Sequence, residues 1–164
     1  MPKIAGPVGR FFREVVDEAK KIPDVETALP ERSDGGSAGY DFRSKESYFL
    51  QPGETHMFWS DVKVHLNRNE VLMIFPRSGL GFKKGVVIKN LTGVIDSSYY
   101  GNPDNDGNIG IGLVNNGRDP VRIEVGDRIA QGVFMNYLVT DDDKFENGFE
   151  PNLERSGGYG SSGQ

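Results

Sequence analysis

Arg77-Ser78-Gly79 and Asp96 are the residues of this chain best suited to chemistry. A guanidinium forks onto phosphate oxygens, and a neighbouring hydroxyl and bare glycine backbone can approach the same group. A turn beside a strand accounts for Arg-Ser-Gly equally well. Asp96 closes the apolar run Gly93-Val94-Ile95, so its carboxylate is expected at the edge of a packed sheet, where it could activate a water. Between the two stand polar Asn90, set among apolar residues, and beyond them the aromatics Tyr99 and Tyr100.

The elements that must position these residues are short. The chain has 164 residues, enough for one domain with a core of its own. Its 22 glycines and 9 prolines are scattered, which suggests many turns joining short strands. Val62, Val64 and Leu66 alternate with polar residues, as do Ile109, Ile111 and Leu113, while Val71–Phe75 is a continuous apolar run suited to a strand buried on both faces. Val86–Ile88 and Val94–Ile95 read as two strands of a hairpin around Asn90-Leu91-Thr92-Gly93. The expected class is all-β, a sandwich or barrel. Ahead of it, Val8, Phe11, Phe12, Val15, Val16 and Ala19 make a helical stripe that stops at Pro23, which predicts an amphipathic helix over 8–21. At the other end, Ser156–Gln164 is almost all Gly and Ser and reads as a flexible arm. The organisation read from this is an N-terminal helical extension (1–24), a β domain (25–140) and a C-terminal arm (141–164).

Composition narrows the function. A net charge of −5 argues against a nucleic-acid binder held by bulk phosphate attraction. With no Cys, thiolate catalysis and Cys-based zinc sites are excluded. His56 and His65 are in no metal-spaced cluster and read as strand or turn residues. No stretch approaches a membrane span, and no secretory leader is evident, so the expected location is the cytoplasm, or the host cytoplasm for a viral gene.

The set as a whole resembles the trimeric dUTP pyrophosphatases (dUTPases). Five motifs carry the resemblance in order: Ser37-Ala38-Gly39-Tyr40-Asp41-Phe42; Arg77-Ser78-Gly79; Gly93-Val94-Ile95-Asp96 with Tyr99; Gly126-Asp127-Arg128-Ile129-Ala130-Gln131; and Arg155 followed by Gly157-Gly158-Tyr159-Gly160-Ser161-Ser162-Gly163. The resemblance implies a jelly-roll-like (β-clip) subunit, a homotrimer with active sites between subunits, and water attack on the α-phosphorus of dUTP. By position, Asp96 matches the general base and Arg155 the tail arginine that stabilises charge at the γ-phosphate. Arg77, Ser78, Gly79 and Gln131 match phosphate-gripping residues, and Asp41 a supporting carboxylate. Asn90, Gly93, Val94, Ile95 and Gly110 match the hairpin that reads uracil, and Tyr99 matches the aromatic against deoxyribose. Tyr159, Gly160, Ser161 and Ser162 match the tail that stacks on uracil and reaches the phosphates. Mg²⁺ is implied as a cofactor held through the triphosphate and water, with no direct protein ligand.

The pattern departs from the family at three places. Arg155 is four residues before Tyr159 rather than five, with Ser156 and Tyr159 replacing a Gly and a Phe. Pro103-Asp104-Asn105-Asp106-Gly107-Asn108 is inserted as a polar turn, and the helix over 8–21 has no counterpart. Either of the last two could dock a protein partner. The competing readings are a dCTP deaminase or bifunctional deaminase-dUTPase of the same superfamily, and a regulatory binding protein on the same scaffold.

Overall fold

The structure, a computed structural model, describes residues 9–143. The β-branched and aromatic residues that alternate along the chain produce twelve strands among the described residues. They are β1 (Phe11–Glu14), β2 (Glu31–Arg32), β3 (Tyr40–Arg43), β4 (Tyr48–Leu50), β5 (Thr55–Trp59) and β6 (Val62–His65), followed by β7 (Glu70–Pro76). A short helix α1 (Ser78–Lys84) intervenes before β8 (Val86–Ile88), β9 (Gly93–Asp96), β10 (Gly110–Asn115), β11 (Val121–Ile123) and β12 (Arg128–Asn136).

All pairings are antiparallel. A five-stranded sheet runs β2-β3-β12-β7-β9, a three-stranded sheet β5-β10-β8, and two-stranded pairs join β1 to β6 and β11 to β4. One apolar core joins all four, with Phe42, Leu50, Phe58, Leu72, Leu113 and Ile123 each at most 1% exposed. Burying side chains of this size contributes roughly 1.5–3 kcal/mol each. The all-β expectation holds. His56 and His65 both lie in strands, and Tyr48 stacks on His56 with ring centroids 3.7 Å apart.

Two expectations are corrected. Residues 11–14 form a strand, and the helical content of this segment is a single 3-10 turn at Asp17–Ala19. The stripe at 8–21 fits a helix, but Phe-Phe-x-x-Val-Val is also rich in residues that favour an extended, half-buried chain. Tertiary contacts decide between them. β1 pairs with β6 from Phe11↔His65 to Glu14↔Val62, and buried Phe12 meets the rings of Phe42, Tyr40 and Phe134 at 5.4–5.8 Å. The second correction concerns β8 and β9, which are not hairpin partners: β8 pairs with β10 and β9 with β7, in different sheets. The turn between them therefore spans two sheets.

Arg10 fastens the start of β1 to the start of β7, donating from Nε to the Glu70 carboxylate at 3.0 Å. That guanidinium, helped by the Asn67 amides and opposed by burial, holds the Glu70 carboxyl down at about 2. A carboxylate depressed by folding stabilises the native state above its unfolded value, near 4.5 here, and loses that contribution as pH falls through its folded value. Glu70→Gln is therefore expected to melt below the parent at neutral pH. The two melting temperatures should converge as pH is lowered from 4.5 toward about 2, and curves that stay parallel throughout would remove Glu70 from this role.

Candidate functional site

Asp41 anchors the first half of the site. It lies on β3 and is 3% exposed, with both carboxylate oxygens in use. Arg77 Nη1 donates to Oδ1 at 2.7 Å, while Ser33 Oγ at 3.1 Å and Arg128 Nη1 at 3.3 Å donate to Oδ2. Sheet order produces this convergence. β12 lies between β3 and β7, with Gln131 opposite Asp41 on one side and Phe75 on the other. Gln131 Nε2 then donates to the Pro76 carbonyl at 3.2 Å, next to Arg77. Arg77 is extended, Ser78 and Gly79 open α1 on the exposed surface, and the amides of Leu80 and Gly81 close on the Arg77 carbonyl at 3.1 and 2.9 Å.

A guanidinium has five N–H groups, so an arginine oriented by one carboxylate still has donors for an anion. Arg77 and Arg128 keep 26% and 45% of their side-chain surface exposed. Beside them is a cavity of about 220 Å³ lined by Glu31, Arg32, Ser33, Asp41, Arg43 and Arg128. Its lining is charged rather than apolar, which suits an anion and not a nucleobase.

The second half is built on the turn between β8 and β9. Lys89 N–H donates to the Gly112 carbonyl at 2.8 Å, Leu91 adopts φ 70°, and Thr92 Oγ1 donates to the Ile74 carbonyl at 2.8 Å. Gly93 lets β9 approach β7 closely, because a Cβ there would lie 3.1 Å from Ile74 Cβ. The turn is thus fixed by its backbone while it displays exposed Asn90, Leu91 and Val94. Ile95 and Asp96 are half-buried, and Tyr99, 7% exposed, belongs to the core. Gly110 opens β10 opposite Trp59.

The two halves stand apart within one chain. Asp96 is opposite Val71 near the start of β7, whereas Arg77 follows its last residue, Pro76. At about 3.3 Å per residue, that is a separation of roughly 20 Å. The structure therefore brings Asp41, Arg77 and Gln131 together, whereas Asn90, Gly93, Val94, Ile95, Asp96 and Tyr99 follow one another along the turn, β9 and the 3-10 turn after it. Arg155, Tyr159, Gly160, Ser161 and Ser162 lie outside the described residues. Arg128 and Ser33 were missed as site residues. Arg128 had a signal, its place in Gly126-Asp127-Arg128, but Ser33 is bound to Asp41 by the fold alone.

Comparison with known proteins converges on one group. Residues 26–163 match the dUTPase family. A deoxyuridine 5'-triphosphate nucleotidohydrolase of Lactococcus lactis is 43% identical over 135 residues, covering 82% of this chain and 87% of that protein. One from Haemophilus influenzae is 39% identical over 142 residues, covering 85% and 89%. Among solved structures, dUTPase from Streptococcus mutans superposes with a TM-score of 0.69 at 37% identity, covering 79% of this chain and 98% of that one. A dUTPase variant from phage phi11 of Staphylococcus aureus, whose structure shows coordination of a structural Mg(II) ion, has a TM-score of 0.65 at 25% identity, covering 84% and 96%.

Proposed function

The chain belongs to the dUTPase family and is a dUTP diphosphatase, and from that premise we propose that each active site is assembled from different copies of the chain in a homotrimer. The observation that carries this is the position of Arg77 and Asp96 beyond and near opposite ends of β7. A phosphate grip and a general base roughly 20 Å apart cannot serve one phosphorus atom. A closed ring of three copies brings one copy's phosphate grip beside another's Asp96.

In this reading Asp96 takes a proton from a water whose oxygen attacks the α-phosphorus. The α–β bridging bond breaks, and dUMP and pyrophosphate leave. Arg77, Ser78, Gly79 and Gln131 hold the phosphates, and Asp41 orients Arg77 rather than touching substrate. Asn90 and the backbone of Gly93, Val94, Ile95 and Gly110 read the uracil edge, where a base with the wrong donors leaves groups unpaired. Tyr99 packs against deoxyribose. The arm residues Arg155, Tyr159, Gly160, Ser161 and Ser162 close over the nucleotide. Mg²⁺, when bound, would be held through the triphosphate oxygens and water and would neutralise charge there. This fits Asp41, whose oxygens are both engaged by Arg77, Arg128 and Ser33. No helix among the described residues is long and apolar enough to cross a membrane.

Mixing tests the assembly. Arg77→Ala and Asp96→Asn, each nearly inactive alone, are co-expressed and assayed for pyrophosphate release from dUTP with Mg²⁺. If sites are shared, mixed trimers contain sites with an intact Arg77 from one copy and an intact Asp96 from another, and a substantial fraction of activity returns. No recovery in verified mixed trimers would place each site within one chain.

A further inference from the structure

The sequence reads residues 103–108 as a polar turn, and the structure makes that turn a support for Tyr99. Tyr99 Oη donates to the Asn108 carbonyl at 2.8 Å and accepts from Asn105 Nδ2 at 2.7 Å. The hydroxyl is therefore held on both sides. Asn105 is itself oriented, because its Oδ1 accepts the Gly107 N–H at 3.0 Å and so turns the amide nitrogen to the tyrosine. Gly107 is required for this closure: it has φ 81°, and a Cβ there would come within 2.5 Å of the Tyr99 carbonyl. Asn108 is fully buried and bound to Asp61, so the carbonyl that receives the tyrosine hydroxyl is rigidly placed.

We propose that Asn105 is a positioning residue that fixes the Tyr99 ring and thereby sets the preference of this enzyme for deoxyribose over ribose nucleotides. The inference rests on Tyr99 packing against the sugar. Excluding one hydroxyl requires a wall that does not yield by a few tenths of an ångström, and a ring tethered at its far end by two hydrogen bonds is such a wall. The carboxamide is the residue type needed, since it accepts from the turn with one atom and donates to the tyrosine with the other.

The test is the ratio of kcat/KM for dUTP to that for UTP. Asn105→Ser keeps an oxygen that can accept from the Gly107 N–H and is too short to reach Tyr99, so the turn survives while the tether is cut. The ratio is expected to fall about tenfold, the scale set by loss of one well-placed contact. A structural defect alone would lower both substrates equally and leave the ratio unchanged. Tyr99→Phe should lower the ratio to at least the same degree, and Asn105→Ser added to it should have no further effect, as for two residues acting through one bond. An undiminished ratio in Asn105→Ser, or an equal further drop in the Tyr99→Phe background, would overturn the proposal. Tyr99→Leu separates the two readings. If it keeps full discrimination, Tyr99 is not the sugar wall and the proposal falls with that assignment. If it loses discrimination while Asn105→Ser does not, the role of Asn105 alone is removed.

Discussion

Asp96→Asn is expected to bind dUTP normally and scarcely hydrolyse it, with kcat lowered about 10²–10⁴-fold and KM changed little. The substitution is nearly isosteric, and the position tolerates it. Asp96 is the last residue of β9, half-buried with an extended backbone (φ −81°, ψ 156°), and it is absent from the apolar core. What the amide lacks is the ability to take a proton from the attacking water as charge builds on phosphorus. Losing an interaction made chiefly in the transition state lowers kcat and kcat/KM together. Single-turnover hydrolysis beside equilibrium binding of a non-hydrolysable dUTP analogue separates the two effects. A variant that turns over dUTP at the parent rate would sink the assignment of the base.

The second large effect is on stability. Asp61→Ala is expected to cost about 3–5 kcal/mol. Asp61 has no exposed surface and gathers three other segments: its carboxylate accepts from the Lys21 and Ile22 amides at 2.8 and 3.0 Å, from Lys45 Nζ at 2.7 Å and from Asn108 Nδ2 at 2.8 Å. Burial by itself would raise its pKa, but these donors outweigh burial and hold it below its ordinary value. Its contribution is therefore present above the unfolded carboxylate value and lost as pH falls through the lower folded one. Alanine would leave the Lys45 ammonium, 4% exposed, without its counter-charge. Alanine also fits poorly at φ 54°, a left-handed backbone that Asp and Asn tolerate better. Asp61→Asn should cost less, and adding Lys45→Met should recover part of the loss by removing the stranded ammonium. Urea unfolding of the three variants measures this, and a cost for Asp61→Ala below about 1 kcal/mol would contradict it.

The partners of Asp61 lie far along the chain, which is also where the sequence ceases to be readable. Alternation reveals β6 and β10, because the side-chain period of a strand is two and their apolar positions face the core. Ordered motifs indicated Asp41, Arg77, Asp96, Tyr99 and Gln131, whose spacing within each motif is local. The strand at Phe11–Glu14 was read as a helix because a stripe of six apolar positions does not reveal that β6 offers a free edge some fifty residues later. Likewise β8 and β9 look like a hairpin locally, and only the competing edges of β10 and β7 separate them. The hub of Asp61, Lys45 and Asn108 left no pattern, since a buried ion pair is defined by spatial neighbours and not by spacing.

That hub also affects the protein while it is being made. The segment that carries β1 and residues 17–22 is synthesised well before its hydrogen-bond partners at Asp61, Asp106 and Asn108. On a ribosome adding about 5–20 residues per second, several seconds pass before Asn108 exists to receive it. Through that interval Phe11, Phe12, Val15 and Val16 form an unpaired, strand-prone stretch of the kind that recruits neighbouring chains. Arg10, Arg13, Glu14, Asp17 and Glu18 interrupt it with charge, so the same residues that blur its pattern in the sequence act as gatekeepers for the nascent chain.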